Sequence, residues 1–246
     1  MSSDLGAPLA ARLQQIRAQL PPGTELLAVS KGHTAGLIRQ AVALGQRSFG
    51  ESRLQEAQAK QAQLADLPPL DWHFIGRLQA NKVRPVLRSF GTVHAIDSLA
   101  LAQRVARIAA EENLAPQLFF QVKFLPDPSK GGFSPEALQQ LWPQLRDLAP
   151  ARPVGLMTIT PLGLSPQQSR AVFEACRALA DACGLPGCSM GMSGDWQQAA
   201  AAGSTWVRIG SGLFGSRVPN SDLLNSDLLN GSLLNSSLRD SRPLAE

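Results

Sequence analysis

The chain has 246 residues, 44% of them apolar and 17% charged, enough for one large α/β core or two small ones. A formal charge of +4 with no dense Lys/Arg cluster argues against nucleic acid as a partner. Cys176, Cys183 and Cys188 have neither disulfide-framework nor zinc-site spacing, and there is no basic leader or membrane-length apolar run, so a soluble cytoplasmic protein with reduced thiols, no metal and no membrane contact is expected.

Leu9, Leu13, Ile16 and Leu20, spaced by three and four, predict an amphipathic helix over 8–20, stopped by Pro21-Pro22-Gly23. Leu26 to Val29 is a nearly continuous apolar run, the pattern of a parallel strand buried on both faces, and it leads into Ser30-Lys31. A helix over 35–44 closes at Gly45, a short strand follows over 47–50, and 51–64 is rich in the helix formers Gln, Ala and Leu. A loop with Pro68-Pro69 precedes a strand over 72–76 and a helix over 78–87 that Pro85 should kink or break.

A strand over 92–96 leads through a cap at Asp97-Ser98 into a strongly periodic helix over 99–113. The strand 117–124 is followed by a loop, 125–133, whose prolines and glycines predict mobility. Ser134-Pro135 and Ser165-Pro166 open two helices in cap-plus-proline style, with a strand over 154–160 between them. A strand over 188–193, a helix over 196–202 and a strand over 205–209 come last, before Gly210-Ser211-Gly212.

Strand and helix thus alternate about eight times with short connections, and the strands are apolar runs rather than alternating ones. This predicts an α/β protein with a parallel sheet covered by helices, closed as a single (β/α)8 TIM barrel with an extra N-terminal helix. A doubly wound open sheet is the alternative, and the lack of GxGxxG after the first strand counts against its dinucleotide-binding version. From Pro219 a five-residue Asn-Ser-Asp-Leu-Leu-type repeat takes over, too few copies to bury a solenoid core. The expected organisation is a barrel over 1–218 and a low-complexity tail over 219–246, disordered or weakly helical, with a docking segment as the alternative.

In a barrel, chemistry gathers at the carboxyl ends of the strands, and phosphate groups commonly bind after strands seven and eight. Those ends read Gly191-Met192-Ser193-Gly194 and Arg208-Ile209-Gly210-Ser211-Gly212. Glycines admit an anion to backbone N–H groups, and serines add donors. Lys31 at the end of strand one reads either as a Schiff-base amine or as a strand-end lysine that snorkels into water. A lysine and a phosphate corner on one rim together point to a phosphate-bearing aldehyde, pyridoxal 5′-phosphate (PLP).

The stretches LLAVSKGH (from Leu26), FGESRLQEA (from Phe49), WHFIGRLQANK (from Trp72), HAIDS (from His94), GLMTI (from Gly155), CSMGMSGDW (from Cys188) and VRIGSGLFGSR (from Val207) run in order across about residues 8–217. Through them the chain resembles the pyridoxal phosphate homeostasis (YggS/PROSC-like) family, most closely its cyanobacterial members. The resemblance implies a monomeric barrel like the amino-terminal domain of alanine racemase, the fold-type-III PLP arrangement. It implies a covalent PLP aldimine on Lys31, with Ser193, Gly210 and Ser211 lining the phosphate and Arg208 facing the pyridine nitrogen. Where the family usually has asparagine after Phe-Gly-Glu, this chain has Ser52, which puts a contact from that position in doubt.

The candidate cofactor-binding set is Lys31, Ser193, Arg208, Gly210, Ser211, Ser52, Met192, Gly194 and His73, with no catalytic residue assigned. Met192 and Gly194 enter by their place beside Ser193, although the side chains of Met157, Met190 and Met192 fit barrel packing better than a cofactor role. His73 is expected near the mouth as a hydrogen-bonded histidine, His33 in solvent, and Lys82 on the surface. Three functions compete: a PLP carrier that buffers the cofactor and hands it to apo-enzymes, an amino-acid racemase-like enzyme, and a regulatory interaction protein. A two-base racemase needs a second acid/base, typically tyrosine, and this chain has none. The carrier is the favoured reading.

Overall fold

The computed structural model describes residues 6–127 and 130–216. Eight parallel strands close on themselves in chain order: β1 (Glu25–Val29), β2 (Ser48–Glu51), β3 (Asp71–Phe74), β4 (Thr92–Ile96), β5 (Gln117–Gln121), β6 (Arg152–Met157), β7 (Gly187–Met192) and β8 (Trp206–Ile209). Closure comes from β1 pairing with β8, with Leu27 opposite Arg208 and Ala28 opposite Ile209. The closed sheet settles the choice left open by periodicity: the barrel, not the open sheet. The repeat over 219–246 lies outside the described residues.

The helices form the outer ring: α1 (Gly6–Gln19), α2 (Ala35–Ala43), α3 (Leu54–Gln63), α4 (Val83–Ser89), α5 (Leu99–Glu111), α6 (Pro135–Leu145), α7 (Pro166–Ala182), α8 (Trp196–Ala201) and α9 (Ser211–Phe214). Their starts follow the cap chemistry. Thr34, Ser98, Ser134 and Ser165 each accept from the backbone N–H three residues on, and Ser165 and Gln168 complete a capping box. Pro85 falls in the first turn of α4, where no intrahelical N–H is required, so a 3-10 turn and a fresh start replace the expected kink. The extra helix α1 buries Leu9, Leu13 and Ile16, and its Arg17 donates to the Leu44 carbonyl and to Gln46.

Two expectations need correction. Glu51 ends β2 instead of opening α3, because its carboxylate is drawn inward by Ser30 and Lys60. The loop after β5 is tied at its far end: Phe133 is buried and pairs with Gln121 and Lys123 through the backbone, while the Gln121 side chain donates to the Gly131 carbonyl. Ser211 to Phe214, after β8, form a helical turn, α9. Among the described residues no helix is long and apolar enough to cross a membrane.

The barrel interior is not wholly apolar. Ala95, Phe119 and Met157 form a small cluster with Trp206 and Val154 packed against it. Across it runs a chain of hydrogen bonds from β8 to the amino end of β3. Arg208 Nη1 donates to Ser189 Oγ at 2.7 Å, Ser189 contacts His94 Nδ1 at 2.8 Å, His94 Nε2 contacts His73 Nδ1 at 2.8 Å, and His73 Nε2 contacts Asp71 Oδ2 at 2.6 Å. Asp71 as a carboxylate only accepts, so the rest of the order follows: His73 donates to Asp71, His94 donates to His73, and the Ser189 hydroxyl donates to His94. Both imidazoles satisfy both nitrogens while neutral.

Burial, with the charge of Arg208 adding to it, holds the His94 imidazole well below its ordinary range. In the unfolded chain His94 takes up a proton as pH falls below about 6.5; in the folded chain it does not until much lower pH. The unfolded state then binds more protons, so stability is present above about pH 6.5 and lost as pH falls. The loss per unit is at most about 1.4 kcal/mol for one proton. Urea midpoints measured from pH 7 to pH 5 should fall, and His94→Gln, though less stable throughout, should flatten that fall. An unchanged slope in the variant would remove His94 as its source.

Candidate functional site

Barrel closure brings the ends of β7, β8 and β1 side by side. Lys31 stands in the turn two residues past β1, half-buried. Ser193 follows β7; its Oγ accepts the Gly212 N–H at 3.2 Å and lies 3.5 Å from Ser211 Oγ. Met192, the last residue of β7, donates its N–H to Asp195 Oδ1 at 2.6 Å, and Asp195 Oδ2 accepts from Thr160 at 2.7 Å, so the β7 turn is fixed by a side chain from after β6. Gly194, Ser211 and Gly212 are exposed.

Gly210 opens α9 and lies against β1. A Cβ there would sit 3.3 Å from the Val29 carbonyl oxygen and 3.4 Å from the Val29 Cβ. The missing side chain is what lets β8 run into α9 this close to the strand that carries Lys31. Two hydroxyls, two glycines and the first backbone N–H groups of a helical turn thus converge within one rim segment, beside a lysine. Such a corner suits a phosphate or other small oxyanion, and a lysine next to it suits a carbonyl group on the same ligand.

Arg208 is buried, 5% exposed. Besides Ser189 Oγ it donates to the Ser189 carbonyl at 2.5 Å and, through Nη2, to the Thr158 carbonyl at 2.9 Å. Burial lowers its pKa to about 10, with Asp195 and Cys176 opposing, so the guanidinium stays charged at neutral pH. His73 is not at the mouth. It is buried at the amino-end side of the barrel, tied to Asp71 and His94, with its ring edge-on to Trp206 at 4.8 Å. Burial alone would raise the Asp71 carboxyl, but the hydrogen bonds from His73 and Ser48 outweigh it and hold it low. The structure therefore joins His73 to Arg208 only through His94 and Ser189.

His33 is not solvated either. Gly32 adopts φ +75, which folds the turn back, and the His33 ring packs on Phe214 of α9 at 5.1 Å. Ser52 follows β2, the strand beside β1. It lines a cavity of about 660 Å³ with Arg53, Glu56, Arg77 and Lys82, and that cavity includes none of Ser193, Gly210 or Ser211. Lys82 is exposed, as expected.

Sequence reasoning missed His94, Ser189, Glu51, Glu56 and Lys60. His94 and Ser189 stood inside apolar strand runs, and a polar residue there is the one signal that could have marked them. Lys60 sits in a helix of good helix formers with nothing in its neighbours to mark it as buried.

The alanine racemase N-terminal domain model matches residues 4–218. The pyridoxal phosphate homeostasis protein of Synechocystis is 45% identical over 210 residues, covering 83% of this chain and 96% of the relative. That of Pseudomonas aeruginosa is 43% identical over 217 residues, covering 86% and 94%. The structure of PipY from Synechococcus elongatus with PLP bound matches at a TM-score of 0.81 and 48% identity, covering 84% of this chain and all of that one. With one fold, one rim and relatives aligned over almost their whole length, this chain belongs to the pyridoxal phosphate homeostasis protein family and, through it, to the proteins built on the alanine racemase N-terminal domain.

Proposed function

We propose that this chain binds pyridoxal 5′-phosphate, anchors it covalently through Lys31, and buffers it inside the cell as a monomeric cytoplasmic carrier that passes it to apo-enzymes. The observation that carries the reading is the meeting of Lys31 with the Ser193, Gly210 and Ser211 corner on one barrel rim. The names of the relatives and the PLP in PipY support it. When bound, the cofactor supplies an aldehyde that an amine can capture and a pyridine ring that can withdraw electrons. Lys31 Nζ would hold the aldehyde carbon, with water as the leaving group. Ser193, Ser211 and the backbone at Gly210 and Gly212 would hold the phosphate, flanked by Met192 and Gly194. Arg208 would face the pyridine nitrogen, and His73, through its neighbours, would steady Arg208. Ser52 would line its own cavity beside Arg53 and Glu56, outside the phosphate corner. The barrel over 1–218 would carry all of this, with 219–246 taking no part.

Reduction of the PLP-loaded protein with borohydride, followed by peptide mapping, should place the label on Lys31, and a chain ending at Val218 should label equally. A label on Lys82 or Lys123 would overturn the anchor. Gly210→Val should weaken PLP retention at least tenfold, about 1.4 kcal/mol, because its branches meet Val29. Equal binding of pyridoxal, which has no phosphate, to the parent chain would remove the corner from the site.

The carrier reading also has a chemical basis. Arg208 only donates hydrogen bonds and stays charged, so a pyridine nitrogen facing it gains no proton and the ring remains a weak electron sink. The chain has no tyrosine to serve as a second base. Incubation with L- and D-amino acids in deuterium oxide should therefore show no more than slow α-proton exchange. Turnover of any of them at about 1 s⁻¹ or faster, within the ordinary enzyme range, would restore the enzyme reading.

A further inference from the structure

Lys31 has two chain neighbours, Ser30 and Gly32, and both are gripped by one buried polar cluster. Lys60 of α3 is 5% exposed. Its ammonium donates to the Ser30 carbonyl at 2.8 Å, to Glu51 Oε1 at 2.6 Å and to Glu56 Oε1 at 2.7 Å. An ammonium has three N–H bonds, so these acceptors take all of them. The Ser30 hydroxyl donates to Glu51 Oε1 at 2.7 Å, and the Gly32 N–H donates to Glu56 Oε1 at 2.5 Å. Ser30 is further tied to β2 through its N–H, which donates to the Gly50 carbonyl at 3.1 Å.

We propose that Glu56 and Lys60 of α3, with Glu51 at the end of β2, are positioning residues that clamp the backbone on both sides of Lys31 and so present its amine to an aldehyde held at the serine corner. The inference rests on Lys31 being the covalent anchor. It deepens that reading by naming the residues that make the anchor fast.

The cluster is poorly explained by helix docking alone. Leu54 and Ala57 already seat α3 in the core. A buried ion pair is roughly neutral against apolar residues of the same volume once desolvation is counted, so the cluster adds little net stability. It even leaves Glu51 Oε2 buried without a hydrogen-bond partner. What it adds is direction. It fixes two backbone groups, the Ser30 carbonyl and the Gly32 N–H, around a turn whose Gly32 sits at φ +75 in the left-handed region. Burial raises the Glu51 carboxyl, and Lys60 and Ser30 only partly offset it; on Glu56 the hydrogen bonds from Lys60 and Gly32 outweigh burial and hold the carboxyl low. Glu56 is therefore an anionic acceptor for the Gly32 N–H over the working pH range, and a firm one.

In capture, Lys31 Nζ bonds the aldehyde carbon, the carbonyl oxygen takes up the two amine protons and leaves as water, and no redox partner is needed. Positioning lowers the barrier to that step without changing phosphate contacts. The test compares the parent with Glu56→Ala, Glu56→Gln and Lys60→Met. Capture is followed by stopped-flow absorbance on mixing apo-protein with PLP, and corner binding is measured separately with pyridoxine 5′-phosphate, which has no aldehyde. Glu56→Ala and Lys60→Met should slow capture at least tenfold and leave pyridoxine 5′-phosphate affinity within about twofold. Glu56→Gln, which keeps an acceptor for Gly32, should recover most of the rate. Capture at the parent rate in Glu56→Ala overturns the clamp; so does a parallel loss of capture and of pyridoxine 5′-phosphate binding, which would mark a structural role. Glu56 is only partly buried, so Glu56→Ala decides the matter if Lys60→Met does not fold. Absence of a Lys31 label in the reduced parent is a separate result: it sinks the anchor reading itself, and the clamp with it.

Discussion

Everything at the rim depends on β1 pairing with β8. The register that sets Ala28 opposite Ile209 fixes the distance between the Lys31 turn and the start of α9. It also makes Gly210 a tight position, since a Cβ there would come 3.3 Å from the Val29 carbonyl oxygen. Parallel pairing between the first and last strands is a contact of high sequence separation. Its loop entropy is recovered only when all eight strands are in place. The site therefore exists only in the completed barrel, and no shorter piece of the chain could hold the lysine and the serine corner together.

Closure also encloses polar groups, and the barrel handles them in two separate networks. One is the file from Arg208 through Ser189, His94 and His73 to Asp71, in which every donor meets an acceptor in one direction and only its ends are charged. The other is the Lys60 cluster, where an ammonium is shared between two carboxylates and a carbonyl. An unsatisfied buried polar group costs about 1–3 kcal/mol, so such networks are tolerated only when nearly complete. They touch different parts of the site. The file holds the guanidinium from behind, and the cluster holds the turn that carries the lysine.

The fold was legible because it is a statement about periodicity. Continuous apolar runs such as Leu26–Val29, caps such as Ser98 and Ser165, and short connections leave few topologies open. The rim position of Ser193, Gly210 and Ser211 was legible because both segments follow the last two apolar runs. The polar interior was not. Nothing in a single strand says that His73 turns inward to meet His94 rather than outward at the mouth, because a one-residue change of phase exchanges the faces. Lys60 and Glu56 are spaced i, i+4 on α3, which reads as an ordinary surface ion pair; only the packing of α3 over the β1 turn turns that spacing into a clamp. His33 failed for the same reason, since its burial depends on α9, an element from the other end of the chain.

The distribution of exposure bears on what such a site is for. A site built for catalysis gains from excluding water, since charge stabilisation grows as the local dielectric falls. Here the stiff parts are buried and the contact parts are open: Arg208 and Lys60 lie inside, whereas Gly194, Ser211 and Gly212 are exposed. On the proposed reading, retention is divided between a reversible covalent link at Lys31 and an open anion corner about one strand away. Neither alone has to be strong. Each raises the effective concentration at the other, so the pair can hold a ligand firmly while a competing amine from solvent can still reach the covalent link. A lid would strengthen holding and slow exchange together. The open corner with a rigid lysine turn separates the two, and that separation is what a protein that stores and hands over a reactive aldehyde requires.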